Sequence, residues 1–182
     1  RVYGQCDSIY FKNCRAKNTR GGFELRAQGV RLENCTTIGT ERAYWVGSDA
    51  VVKNCKGDAN YGPLMFVEGS NCNIDLILDP AESDRKVHAF ITILGENNKV
   101  VLKPAAGKTR TQQLPILIGF APPMHGESMS PIEEAEVKGL QLRNETDMPI
   151  KIGQKASDCV IITNAKVQEN KGVNVIVKKL KK

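Results

Sequence analysis

The sequence predicts an all-β solenoid: a single-stranded parallel β-helix of about seven coils, running through residues 1–182 as one domain. Three observations carry that prediction. An Asn returns every 20 or 21 residues, and short runs of alternating apolar residues precede it. No stretch shows the capped amphipathic pattern of a helix.

The first strand of each period ends at the Asn. Ile9-Tyr10-Phe11-Lys12-Asn13 opens the series. Val30-Arg31-Leu32-Glu33-Asn34 and Ala50-Val51-Val52-Lys53-Asn54 continue it, and Leu140-Gln141-Leu142-Arg143-Asn144 and Val160-Ile161-Ile162-Thr163-Asn164 resume it. Each puts apolar residues four and two places before the Asn, the period of a strand with one buried face. Ile9, Val30 and Ala50 are expected in one core column, and Phe11, Leu32 and Val52 in the next. Lys12, Glu33, Lys53 and Arg143 then point to solvent. The Asn is expected at a bend, where it tolerates left-handed backbone and its amide can bond to its neighbours above and below. Ile74–Leu78 and Val100–Leu102 fill the same slot without the Asn.

A second strand falls in each period. Phe23–Arg26, Tyr44–Gly47, Leu64–Val67, Ile91–Gly95, Ile116–Gly119, Ile150–Gly153 and Asn174–Val177 are read as this series, most of them closed by Gly or a polar turn. Such a period with β-branched residues and Asn bends specifies a parallel β-helix. A leucine-rich repeat needs a Leu signature that is missing, and a sandwich would not hold the register.

Cys14, Cys35 and Cys55 each follow a ladder Asn, while Cys6, Cys72 and Cys159 do not share that offset. There is no CxxC, so the spacing reads as a repeat and not as a zinc site. A buried, reduced thiol column is the expectation.

The net charge of +6 needs sorting. Lys178, Lys179, Lys181 and Lys182 account for four of those charges, leaving a nearly balanced body. That body lacks the clustered basic face that nucleic acid demands. No run of about 18 apolar residues exists, so no membrane span is expected. The chain opens without Met at Arg1-Val2-Tyr3-Gly4 and is read as the C-terminal part of a longer protein. Only eight residues precede Ile9, so upstream coils or a partner chain are expected to cover the N-terminal end. Two segments break the register: the polar loop 79–86 and the longer insertion 120–137, which holds three Pro. Extra residues in a solenoid map to loops on one face, as a binding rim or as simple cover.

On the repeats of residues 4–78 and 138–177, the chain resembles the right-handed parallel β-helix superfamily typified by pectate lyases, polygalacturonases, alginate and chondroitin lyases and phage tailspikes. The resemblance implies a right-handed coil and leaves function to the site. Members of that superfamily that are enzymes act on acidic polysaccharides with Arg or Lys as base, Asp clusters for calcium, or paired Asp. Here the Asn-Thr-Asp, Asp-Asp and Gly-His-Gly motifs are absent, and Asp79-Pro80-Ala81-Glu82 approaches an epimerase motif without its His. Calcium is the cofactor the resemblance allows, but no Asp cluster marks a site for it.

The remaining candidates are positional. Arg20, Arg26 and Arg42 fall at or near the second strand, with Glu24, Glu41 and Glu68. Basic side chains there would neutralise a uronate carboxylate and ease abstraction of its C5 proton; the alternative is a solvated, salt-bridged face. Trp45, between Tyr44 and Val46, is expected to face outward as a sugar-stacking platform with Tyr61 beside it, or else to pack under a loop. Trp45, Tyr61, Arg26 and Arg42 form the expected substrate-binding set, and Arg26, Arg42 and His125 the catalytic candidates. His88 and His125 also read as ordinary loop or strand residues. Asn34-Cys35-Thr36 and Asn144-Glu145-Thr146 match the glycosylation triplet, but both Asn are expected on the ladder and inward. Two classes follow. One is an extracellular, cell-surface or periplasmic protein that binds or cleaves an acidic polysaccharide, lyase-like. The other is a non-enzymatic β-helix such as a tail fibre, adhesin or stalk.

Overall fold

In the computed structural model the described residues are 9–58, 62–78, 90–106, 115–121 and 133–181. They form strands, turns and connecting backbone, with no helix among them. Cys6, Tyr61, His88, His125, the loop 79–86 and most of the insertion 120–137 lie outside them.

The strands fall into three sheets. The first carries β1 (Tyr10–Lys12), β4 (Arg31–Glu33), β7 (Val51–Gly57), β9 (Asn73–Leu78), β12 (Lys99–Pro104), β15 (Gln141–Asn144), β18 (Val160–Thr163) and β20 (Ile176–Lys178), in that order. The short β2 (Arg15–Lys17) and β5 (Thr36–Ile38) flank it. The second carries β3 (Gly21–Leu25), β6 (Arg42–Val46), β8 (Pro63–Val67), β10 (Phe90–Ile93), β13 (Ile116–Ile118), β16 (Ile150–Ile152) and β19 (Val167–Asn170). A third holds β11 (Gly95–Glu96), β14 (Val137–Lys138) and β17 (Ala156–Ser157). Every pairing between these strands is parallel; most partners lie about one period apart in sequence, and those that span the insertion, such as Lys99 with Gln141 and Ile116 with Ile150, lie further apart. The arrangement is that of a parallel β-helix or a related solenoid.

Alternation explains the core. Phe11 pairs with Leu32 and Leu32 with Val52. Val30 and Ala50 are fully buried in the next column, with Ile9 and Phe11 packed against one continuous cluster. Each such aliphatic side chain contributes about 1.5–3 kcal/mol when fully buried. The Asn ladder forms as expected. Asn13, Asn34 and Asn54 have φ of 57°, 53° and 52°. Asn54 Nδ2 donates to Asn34 Oδ1 at 2.8 Å, and Asn34 Nδ2 to Asn13 Oδ1 at 3.3 Å. The ladder runs on the exposed side of the bend and not inward, because a left-handed residue turns its side chain out of the strand's alternation. The turns of the second sheet stack just as closely. A Cβ on Gly69 would lie 2.1 Å from the Ser48 nitrogen, so only Gly fits there.

Two registers differ from the expectation. Asn144 pairs with Thr163, not Asn164, so β15 and β18 are 19 residues apart. Asn144 is a buried strand residue whose amide donates to Met148 O, outside the ladder. A slip of one residue exchanges the two faces of a strand. Ile161 therefore enters the core, while Val160 and Ile162 turn outward. At the end of the chain, the second-sheet strand is Val167–Asn170, whose single apolar residue gave no pattern. Residues 176–178 instead pair with β18 in the first sheet.

Candidate functional site

The predicted set assembles around Trp45, though not as an open groove. In the second sheet Glu24, Trp45, Phe66, Thr92 and Leu117 pair in succession on the side turned from the core. All five are buried, with Trp45 only 8% exposed. The Arg26 guanidinium lies 4.9 Å from the Trp45 ring centre, and Phe66 packs at 4.8 Å on it. Trp45 Nε1 donates to Glu68 Oε2 at 2.8 Å. The ring points outward, as alternation requires, but its faces are taken by side chains from neighbouring strands. It therefore offers no bare platform to a sugar.

The arginines are engaged as well. Arg26 Nε and Nη2 donate to Glu68 Oε2 and Oε1 at 2.8 and 2.6 Å, a fork onto one carboxylate. Arg42 Nη2 lies 3.0 Å from Glu24 Oε1, with both groups largely buried. Arg20 sits 3.6 Å from Glu41 on an exposed edge. The salt-bridged alternative for this face is the one the geometry matches.

The first sheet presents a different surface. Its outward side carries Arg31, Lys53, Lys99, Lys103, Arg143 and Lys178 against Glu33 and Asp75. Lys103 pairs with Asp75 at 2.8 Å. Arg31, Lys53, Lys99 and Lys178 form no ion pair among the described residues. Lys178 was counted in the tail by sequence, but it is a strand residue beside Ile162.

Between β9 and β18 this face sinks into a groove of about 350 Å³. Two registers build it. Asn73, Lys99, Gln141 and Val160 are successive partners across four strands, as are Val101, Arg143 and Ile162 across three. Neighbours stand about 4.8 Å apart. Val101, Val160 and Ile162 form a half-buried aliphatic floor, rimmed by exposed Lys99, Arg143, Asn73 and Gln141. Arg143 Nε donates to Glu145 Oε1 at 2.6 Å, which steadies the side chain and leaves its Nη groups without a partner among the described residues. The slipped register hid this groove from the sequence reading: counting 20 residues puts Val160 and Ile162 in the core.

No protein-family model matches the chain, and no curated protein matches it either. Among the described residues no group of His, Cys, Asp and Glu could hold a metal ion, and no helix is long and apolar enough to cross a membrane.

Proposed function

We propose that the chain is a right-handed parallel β-helix of about seven coils that binds an acidic polysaccharide outside the cell or at its surface. The observation that carries this reading is the groove on the first sheet, where cations, amides and an aliphatic floor lie side by side. A pyranose has an apolar C–H face for Val101, Val160 and Ile162, and hydroxyls for Asn73 and Gln141. A carboxylate on the ring would take Lys99 and the Arg143 fork. The groove bears few cations, and one of them is partly balanced by Glu145, which suits about one charge per sugar.

Nucleic acid suits the face less well. Single strands are held by stacked aromatics along a basic track. Among the described residues the aromatic of this face is Tyr10, whose hydroxyl donates to Glu33 Oε2. Binding is the reading, with cleavage as its extension: the described lining of the groove contains no carboxylate to act as acid or base.

Titration with polyuronate oligosaccharides tests the proposal. Lys99→Ala and Arg143→Ala should each weaken binding by about tenfold or more, the worth of one charge-assisted hydrogen bond. Affinity should fall as salt rises. Arg26→Ala should leave it unchanged. Equal affinity in all variants would remove the groove, and tighter binding to single-stranded DNA would replace the glycan. Unsaturated product absorbance during incubation would mark a lyase.

A further inference from the structure

The thiol column is unequally buried along its length. Thr36 N donates to Cys14 O at 2.9 Å and Arg15 pairs with Thr36, so Cys14 and Cys35 are register neighbours on adjacent strands. Strand spacing of about 4.8 Å falls inside the Cα separation that a disulfide spans. The column continues to Cys55, whose Sγ accepts the Cys35 N–H at 3.4 Å. All three thiols take the same orientation, toward the carbonyls of Lys12, Glu33 and Lys53. They are free cysteines, and they differ in exposure. Cys35 and Cys55 are completely buried, whereas Cys14 is only partly so. The sequence reading of a uniformly buried column fails at Cys14.

We infer that Cys14 and Cys35 form a peroxide-responsive pair, in which Cys14 takes the oxidant and Cys35 resolves it into a disulfide joining two successive repeats. The chemistry balances with one hydroperoxide. The Cys14 sulfur attacks the peroxide oxygen, the O–O bond breaks, and a sulfenic acid and one water (or alcohol) form. The Cys35 sulfur then displaces the sulfenic oxygen as water, so two thiols lose two hydrogens and the peroxide is reduced. Attack requires a thiolate that the oxidant can reach. Burial pushes Cys55 up to about 12 and Cys72 up to about 11, and it raises Cys35 and Cys159 as well, so those thiols stay protonated near neutral pH. Cys35 serves as the resolving partner because it is the register neighbour of Cys14, at a backbone spacing that a disulfide spans. A ligand is not involved, so the inference stands apart from the glycan reading.

The test treats the native, reduced chain with one equivalent of hydrogen peroxide, blocks remaining thiols in denaturant, and maps peptides by mass. The expected product is a Cys14–Cys35 cross-linked peptide, lighter by two hydrogens and reversed by dithiothreitol, with Cys55, Cys72 and Cys159 blocked as thiols. Cys14→Ser, at a partly exposed position, should keep the fold and leave Cys35 a thiol. Four outcomes would overturn the pair: sulfinic or sulfonic acid at Cys14 beside a free Cys35, a bond from Cys14 to Cys6 or to a second chain, oxidation of Cys35 in Cys14→Ser, or no modification at all.

Discussion

Trp45 sits between a guanidinium and a phenyl ring with its indole N–H bonded, so most of its area is packing. Trp45→Ala should therefore lower stability by about 3 kcal/mol, as for large buried aromatics, read from denaturant unfolding. Trp45→Phe keeps the stack and loses the bond to Glu68, for about 1 kcal/mol. A change within error for Trp45→Ala would mean the ring is solvated. Alternation between Tyr44 and Val46 gave the direction of this side chain but not its cover. The cover comes from Arg26, Phe66 and Glu68, which only coil-to-coil stacking brings together. The same limit applies to Arg42, whose burial against Glu24 no local pattern announces.

At the scale of the element, the bend after each first-sheet strand depends on the left-handed Asn and on its ladder bonds. Asn34 joins both, with φ of 53°, one donor bond and one acceptor bond. Asn34→Gly keeps the backbone and loses the bonds, at about 1 kcal/mol each at most for exposed groups. Asn34→Ala adds a further cost of about 1–2 kcal/mol for a non-Gly residue in that region. The difference between the two variants in thermal unfolding isolates the backbone contribution, and identical values would show that the bend is unstrained. This ladder was legible because Asn at a fixed interval has one physical use here. The β15–β18 pairing was not, since Asn144 and Asn164 repeat the spacing while Thr163 takes the partner position. A strand responds to which side chains fill the core, and Ile161 fills it where Val160 was expected.

Over the whole molecule, most of the fold was readable because every period repeats one instruction, and an error in one strand leaves the others correct. The surface had no such redundancy. The charge balance, taken along the chain, suggested a neutral body with a basic tail. Taken across the first sheet, it becomes a basic face, because residues far apart in sequence stand side by side. Where loops outside the described residues bear the candidates Tyr61 and His125, the sequence reading stays as it was.

The vertical stacking of like on like makes the chain editable by whole cassettes. Excising residues 14–34 would carry Asn13 directly into Cys35 and set β1 beneath β7, with Phe11 meeting Val52 and Asn13 meeting Asn54. Those are the kinds of neighbour each already has. Stability in such arrays is close to a sum over units and their interfaces, so the shortened chain should fold with reduced stability. It should keep a β-type circular dichroism spectrum and lose about 4.8 Å of length by small-angle scattering. Removing a non-integral stretch, such as residues 14–24, should instead unfold it, since the remaining strands would meet out of phase.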